Sequence, residues 1–154
     1  MNTPCTKFIM IVSFVCGVLG VSFAHASEIS PVHIFINTGT GTNDMIVFPP
    51  ELTLKADVLY RFVISNPSNH KHVVVAPELA AGSRTTELVK MSPISSINYS
   101  SANSSLTRGI PLKPGEVLEW TFTPNMQGVY KFGCNDQTHA AAGMHAMVTV
   151  RSEH

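Results

Sequence analysis

The stretch GVYKFGCNDQTHAAAGMHAMVTV, residues 128–150, holds two alternating runs that a short loop joins. In the first run, Tyr130, Phe132 and Cys134 occupy every second position, and in the second run Met144 begins a similar apolar series. Alternation with a period of two is typical of a half-buried strand. The stretch therefore predicts a strand–loop–strand hairpin whose inward face carries both Cys134 and Met144.

Earlier parts of the chain show the same alternation, and turn-forming Gly, Pro and Asn residues separate the runs. The clearest runs lie at residues 32–36, 58–65 and 116–123. Short strands at this spacing predict an all-β fold, either a sandwich or a barrel. Residues 80–109 are rich in Ser, Thr and Asn, and we interpret them as a long excursion with one short helix or strand.

The N-terminus has the pattern of a secretory signal. Residues 1–7 carry the only early positive charge, residues 8–24 are uncharged, and Ala24-His25-Ala26 forms a small-x-small cleavage site. We therefore expect a signal peptide at residues 1–26, a single domain at residues 27–154, and a periplasmic or otherwise exported protein. An uncleaved anchor is the alternative, but the uncharged run is at the short limit for spanning a membrane.

Cleavage would leave Cys134 as the only cysteine, so no internal disulfide could form. A lone thiol is a liability in an oxidising compartment unless a metal binds it or the core buries it. The spacing Cys134-x4-His139-x4-Met144 favours a metal, because it brings a thiolate, an imidazole and a thioether within eleven residues. Soft sulfur ligands combined with imidazole select copper, above all Cu(I).

One loop cannot easily supply a complete site, so we expect a further ligand from elsewhere in the chain. His72 is the candidate, because it directly precedes the apolar run at residues 73–75. Two His, one Cys and a weak axial Met form the site of blue-copper electron-transfer proteins. His70 is interpreted as a solvated loop residue, although it could replace His72 as the ligand or belong to a transient second copper site.

Charge and motifs exclude several other functions. Lys and Arg together number 10, as do Asp and Glu, and no basic patch indicates nucleic-acid binding. Neither a Walker loop nor a dinucleotide fingerprint is present.

Most of residues 27–154 resembles the cupredoxins, which are small exported type 1 copper proteins. The motifs that carry the resemblance are FPPELTL (48–54), NPS (66–68), KH (71–72), APEL (76–79), PGE (114–116) and GVYKFGC (128–134), followed by His139 and Gly143-Met144. The resemblance implies a Greek-key β-barrel of two packed sheets, and one copper held by His72, Cys134, His139 and Met144. The chain departs from many relatives in having Val73 after the first histidine and Gln137-Thr138 before the second.

These features predict a monomeric one-electron carrier rather than an enzyme. A copper-binding module for metal delivery or sensing is the alternative. A redox enzyme would need an open coordination position or a second metal, and the sequence offers neither clearly. The small apolar run Ala140, Ala141, Ala142 and Gly143 follows the second histidine, and we expect redox partner proteins to dock there.

Overall fold

The computed structural model describes residues 29–40 and 45–152, so the predicted signal peptide lies outside the described residues. Strands dominate this part of the chain. In chain order they are β1 (Val32–Thr38), β2 (Val47–Phe48), β3 (Glu51–Lys55), β4 (Tyr60–Ser65), β5 (His72–Val75), β6 (Ser83–Ser92), β7 (Ser95–Asn98), β8 (Ile110–Leu112), β9 (Val117–Pro124), β10 (Gly128–Cys134) and β11 (His145–Arg151). Three short helices accompany them: α1 (Pro77–Ala81), α2 (Ala102–Arg108) and α3 (Gln137–Ala141).

The strands form two sheets that pack face to face. The first sheet has the order β2-β1-β4-β9-β6-β7, and the second has the order β3-β11-β10-β5-β8. The parallel pairs are β1 with β4 and β3 with β11, and the other pairs are antiparallel. The predicted all-β fold of two packed sheets is confirmed. The sheets remain separate, however, so the architecture is a sandwich and not a closed barrel.

Aromatic side chains from both sheets fill the space between them. Phe62 of β4 makes edge-to-face contacts with Trp120 and Phe132, with ring centroids 5.9 Å and 6.1 Å apart. All three side chains are fully buried. Burying a ring of this size stabilises the fold by roughly 2–3 kcal/mol, and Phe132 lies only two residues before Cys134. The aromatic core therefore fixes the end of β10 that leads into the predicted metal site.

The prediction for residues 80–109 is wrong. This segment contains the ten-residue strand β6, its hairpin partner β7 and the helix α2. The sequence shows no alternating apolar pattern for β6, because Leu88 is the one β6 side chain that is buried in the core. Hydrogen bonding to β9, rather than an apolar face, defines the rest of that strand.

Candidate metal centre

Cys134 ends β10 with its side chain turned inward, as the alternation predicted, and the residue is only 6% exposed. Its sulfur accepts hydrogen bonds from two backbone amides. The Val73 N–H donates to Sγ over 3.3 Å, and the Asp136 N–H donates over 3.5 Å. Hydrogen bonds from amides stabilise negative charge on an acceptor, so this setting suits a thiolate ligand.

His139 lies on α3, the short helix of the loop between β10 and β11. Asp136 is the N-cap of this helix, and its carboxylate accepts from the amides of Thr138 and His139 over 3.1 Å and 3.4 Å. A capping side chain satisfies amides that the first turn would otherwise leave without partners. The cap holds the helix in place, and the Nδ1 atom of His139 lies 3.6 Å from the Cys134 sulfur.

His72 lies on a different strand from Cys134. It is the first residue of β5, which pairs with β10 so that Val74 lies opposite Cys134. The His72 side chain is 1% exposed, and its Nδ1 atom lies 3.2 Å from the Nδ1 atom of His139. Its other ring nitrogen, Nε2, lies 2.8 Å from the Ser68 hydroxyl.

The three donor atoms suit a single ion. The ligand atoms of His72, Cys134 and His139 all lie within 4.8 Å of one another. Bonds of about 2.0–2.3 Å to a shared ion would separate such atoms by roughly 3–4 Å, close to the 3.2 Å and 3.6 Å measured here. Two imidazoles and one thiolate form a donor set that binds copper well.

Met144 is 1% exposed, and its backbone contacts two of the three clustered residues. Its backbone N–H donates to the His139 carbonyl over 3.1 Å, and its carbonyl accepts from the Cys134 N–H over 3.0 Å. The backbone therefore ties Met144 to two of the clustered residues, while its role as the fourth ligand stays a prediction. The exposed His70 lies outside the cluster.

Sequence reasoning gave no site role to Asn66 and Ser68. Both residues are buried, and they lie in the loop that leads from β4 to His72. The signal that could have found them is the Asn-Pro-Ser turn a few residues before a candidate ligand. Asp136 was missed in the same way, although an Asp before a short polar stretch is a common N-cap.

The buried acidic residue Glu116 stabilises a turn next to the loop that leads from β4 to His72. Glu116 accepts from the Lys113 amide over 2.8 Å and from the Lys90 ammonium group over 3.3 Å. Burial would raise the pKa of Glu116, but these two partners outweigh burial, and the net pKa lies below the ordinary value of 4.5. The Glu116 carbonyl also accepts from the Asn66 N–H over 3.1 Å, so the braced turn is joined to the loop before His72.

Solved structures share this fold at low sequence identity. Auracyanin A from Chloroflexus aurantiacus, described as a "blue" copper protein, is 20% identical with a TM-score of 0.51, over 79% of this chain and 100% of that one. Auracyanin from Roseiflexus castenholzii is 17% identical with a TM-score of 0.50, over 79% of this chain and 98% of that one. A multicopper oxidase from Campylobacter jejuni is 16% identical with a TM-score of 0.54, and the match covers 86% of this chain but 32% of the oxidase.

A search of the curated proteins gives no match. Among the described residues, no helix is both long enough and apolar enough to cross a membrane.

The model of the copper-binding proteins of the plastocyanin/azurin family matches residues 35–151, which include His72, Cys134 and His139. The chain therefore belongs to the plastocyanin/azurin family of copper-binding proteins, and its cofactor is copper.

Proposed function

We propose that the protein is an exported, monomeric one-electron carrier rather than an enzyme. The observation that carries the proposal is the donor cluster of His72, Cys134 and His139, which the fold itself assembles within 4.8 Å. Copper, when bound there, supplies a one-electron couple between Cu(II) and Cu(I). The copper-binding family and the likeness to auracyanins support this proposal.

Backbone hydrogen bonds hold the ligand segments rigidly. The Asn135 N–H donates to the Val73 carbonyl over 2.8 Å, and the Val73 N–H donates to the Cys134 sulfur. Ligands fixed to paired strands move little when the charge at the site changes, and small movement favours fast electron transfer. In this proposal Met144 completes the ligand set as a weak fourth donor, as its burial beside Cys134 and His139 allows.

The same rigidity argues against the alternative role in copper delivery. A delivery protein must release its metal to a chelator or a partner, and release requires an accessible ligand set. His72 is 1% exposed and Cys134 is 6% exposed. Slow metal exchange combined with fast electron exchange would favour the carrier, and the reverse result would favour delivery.

Electrons would enter and leave beside His139. This residue is half-buried, whereas Ala140, Ala141, Ala142 and Gly143, which follow it, are exposed. We define these four residues as the apolar rim. Small side chains allow a partner protein to come close to the site, and an exposed apolar surface beside a functional centre commonly marks a docking site. Redox proteins are the partners that fit this rim.

The ligand assignment is tested by the visible absorption of the copper-loaded chain. Wild-type protein should show an intense sulfur-to-copper charge-transfer band that disappears on reduction, and Cys134→Ser should abolish the band. His72→Ala should also remove it. His70→Ala is the matched control and should leave the band nearly unchanged, because His70 is exposed and outside the cluster. A coloured Cys134→Ser protein would overturn the assignment.

The docking proposal is tested by electron exchange with a redox partner. Ala141→Asp should slow the exchange, because a charge in the apolar rim must be desolvated at the contact, while spectrum and potential stay nearly constant. Met126→Asp is the control, since Met126 is 60% exposed and lies just before β10, whose far end carries Cys134. Equal rates for Ala141→Asp and wild type would show that electrons use another face.

A further inference from the structure

We propose that Ser68, oriented by Asn66, is a positioning residue that fixes which nitrogen of His72 carries hydrogen. The hydrogen is held on Nε2, so Nδ1 presents its lone pair to the donor cluster. The inference rests on the proposed ligand role of His72, but it concerns the metal-free chain and can be tested there.

The orientation of the Asn66 side chain comes first. Its amide nitrogen donates to two carbonyls, those of His70 over 2.7 Å and Leu112 over 2.9 Å. Its amide oxygen accepts from the Ser68 N–H over 3.0 Å. The flipped amide would place its oxygen against both carbonyls and its NH2 group against an N–H, so this hydrogen-bond pattern allows one orientation.

The direction of the Ser68 hydroxyl follows from that orientation. The Ser68 Oγ atom lies 2.7 Å from the Asn66 amide oxygen and 3.1 Å from the His70 carbonyl, and both of these atoms can only accept. A hydroxyl has one hydrogen to donate. That hydrogen must point toward these acceptors, because otherwise lone pairs would face each other at hydrogen-bond distance in a buried site. The remaining capacity of Ser68 Oγ is as an acceptor.

The protonation of His72 is the consequence. Its Nε2 atom lies 2.8 Å from Ser68 Oγ, and both residues are buried, at 1% and 3% exposure. Since Ser68 accepts at this contact, Nε2 must donate and therefore carries the hydrogen. In a neutral imidazole the other nitrogen is then an acceptor. Nδ1 is the atom that lies 3.2 Å from His139 Nδ1 and faces the donor cluster.

The second imidazole must have the opposite tautomer in the metal-free chain. Two nitrogens 3.2 Å apart cannot both present lone pairs without repulsion. His139 therefore carries hydrogen on Nδ1 and donates it to His72. The two histidines are thus unequal: His72 is preset for metal binding by its neighbours, and His139 must exchange its hydrogen position.

Nitrogen NMR of the metal-free 15N-labelled chain tests this order directly. Spectra recorded at about pH 8, where ordinary imidazole is neutral, should show Nε2–H for His72 and Nδ1–H for His139. Ser68→Ala should give a mixture of tautomers at His72. Ser105→Ala deletes a buried hydroxyl that donates to the Ser101 carbonyl, and it is the matched control that should keep the wild-type pattern.

Copper affinity gives a second readout. Loss of a hydrogen bond behind a ligand histidine typically weakens metal binding about 10–100-fold, so Ser68→Ala should show a loss in this range, whereas Ser105→Ala should match wild type. Nδ1–H on His72 in the wild-type chain would overturn the proposal even if Ser68→Ala failed to fold. So would a pure Nε2–H form in Ser68→Ala. Failure of the proposed electron-carrier function would appear separately, as a wild-type chain without the copper band.

Discussion

Gly133 is the position where adding a single methyl group should do the most damage to the site. It lies in β10, opposite His145 of β11 and Val75 of β5. A Cβ atom there would come within 2.5 Å of the Met144 carbonyl oxygen and 2.9 Å of the His145 Cα. Both are backbone atoms and cannot rotate away, so Gly133→Ala must push β11 from β10. We expect a loss of about 3 kcal/mol in the free energy of unfolding, the upper end for overpacking.

Urea unfolding of the metal-free protein, followed by circular dichroism and extrapolated linearly, measures this loss. Gly115→Ala is the control, because its Cβ would meet no atom within 4 Å and only the φ of +77° is unfavourable. The control should lose about 1 kcal/mol. Gly133→Ala should also weaken copper binding, since the Met144 carbonyl accepts from the Cys134 N–H. Equal losses in the two variants would refute the steric argument.

Three further predictions concern the ligand, the cap and the buried carboxylate. Met144→Leu should retain copper and raise the reduction potential, because loss of a sulfur donor disfavours Cu(II); an unchanged potential in spectroelectrochemistry would remove Met144 from the ligand set. Asp136→Ala should cost about 1 kcal/mol in urea unfolding, and Asp136→Asn should restore most of it. Because the pKa of Glu116 is lowered in the folded state, its stabilising contribution is present above about pH 4.5 and is lost as the pH falls through the folded pKa. Glu116→Gln should flatten this part of the stability–pH curve. An unchanged curve would contradict the stabilising role given to the ionised Glu116 carboxylate.

Local patterns were sufficient to predict the hairpin and its inward face. Phe132, Cys134 and Met144 are all buried, as their alternation indicated, and Val74 continues the inward face that begins at His72. Along β5 and β11, buried residues alternate with half-buried ones. The pattern is readable because the sandwich buries that face and leaves the other face nearer to solvent.

Non-local contacts were beyond the reach of the same patterns. Asn66 donates to the Leu112 carbonyl, 46 residues away, and no spacing in the sequence encodes that bond. The polar strand β6 was missed because pairing with β9 defines it, with Leu88 as its one side chain buried in the core. Closure of a barrel depends on how edge strands meet, and here the two sheets stay separate.

The hydrogen bonds at the Cys134 sulfur explain how the three candidate ligand residues hold one geometry. One donor is Val73, which directly follows His72 on β5, and the other is Asp136, whose carboxylate caps the helix that carries His139. Each histidine segment is therefore tied to the sulfur by a backbone amide. A shift of either segment would lengthen a hydrogen bond to the Cys134 sulfur, so such a shift is opposed even without a bound metal. On this basis the rigidity of the centre is a property of the strand pairing and the cap.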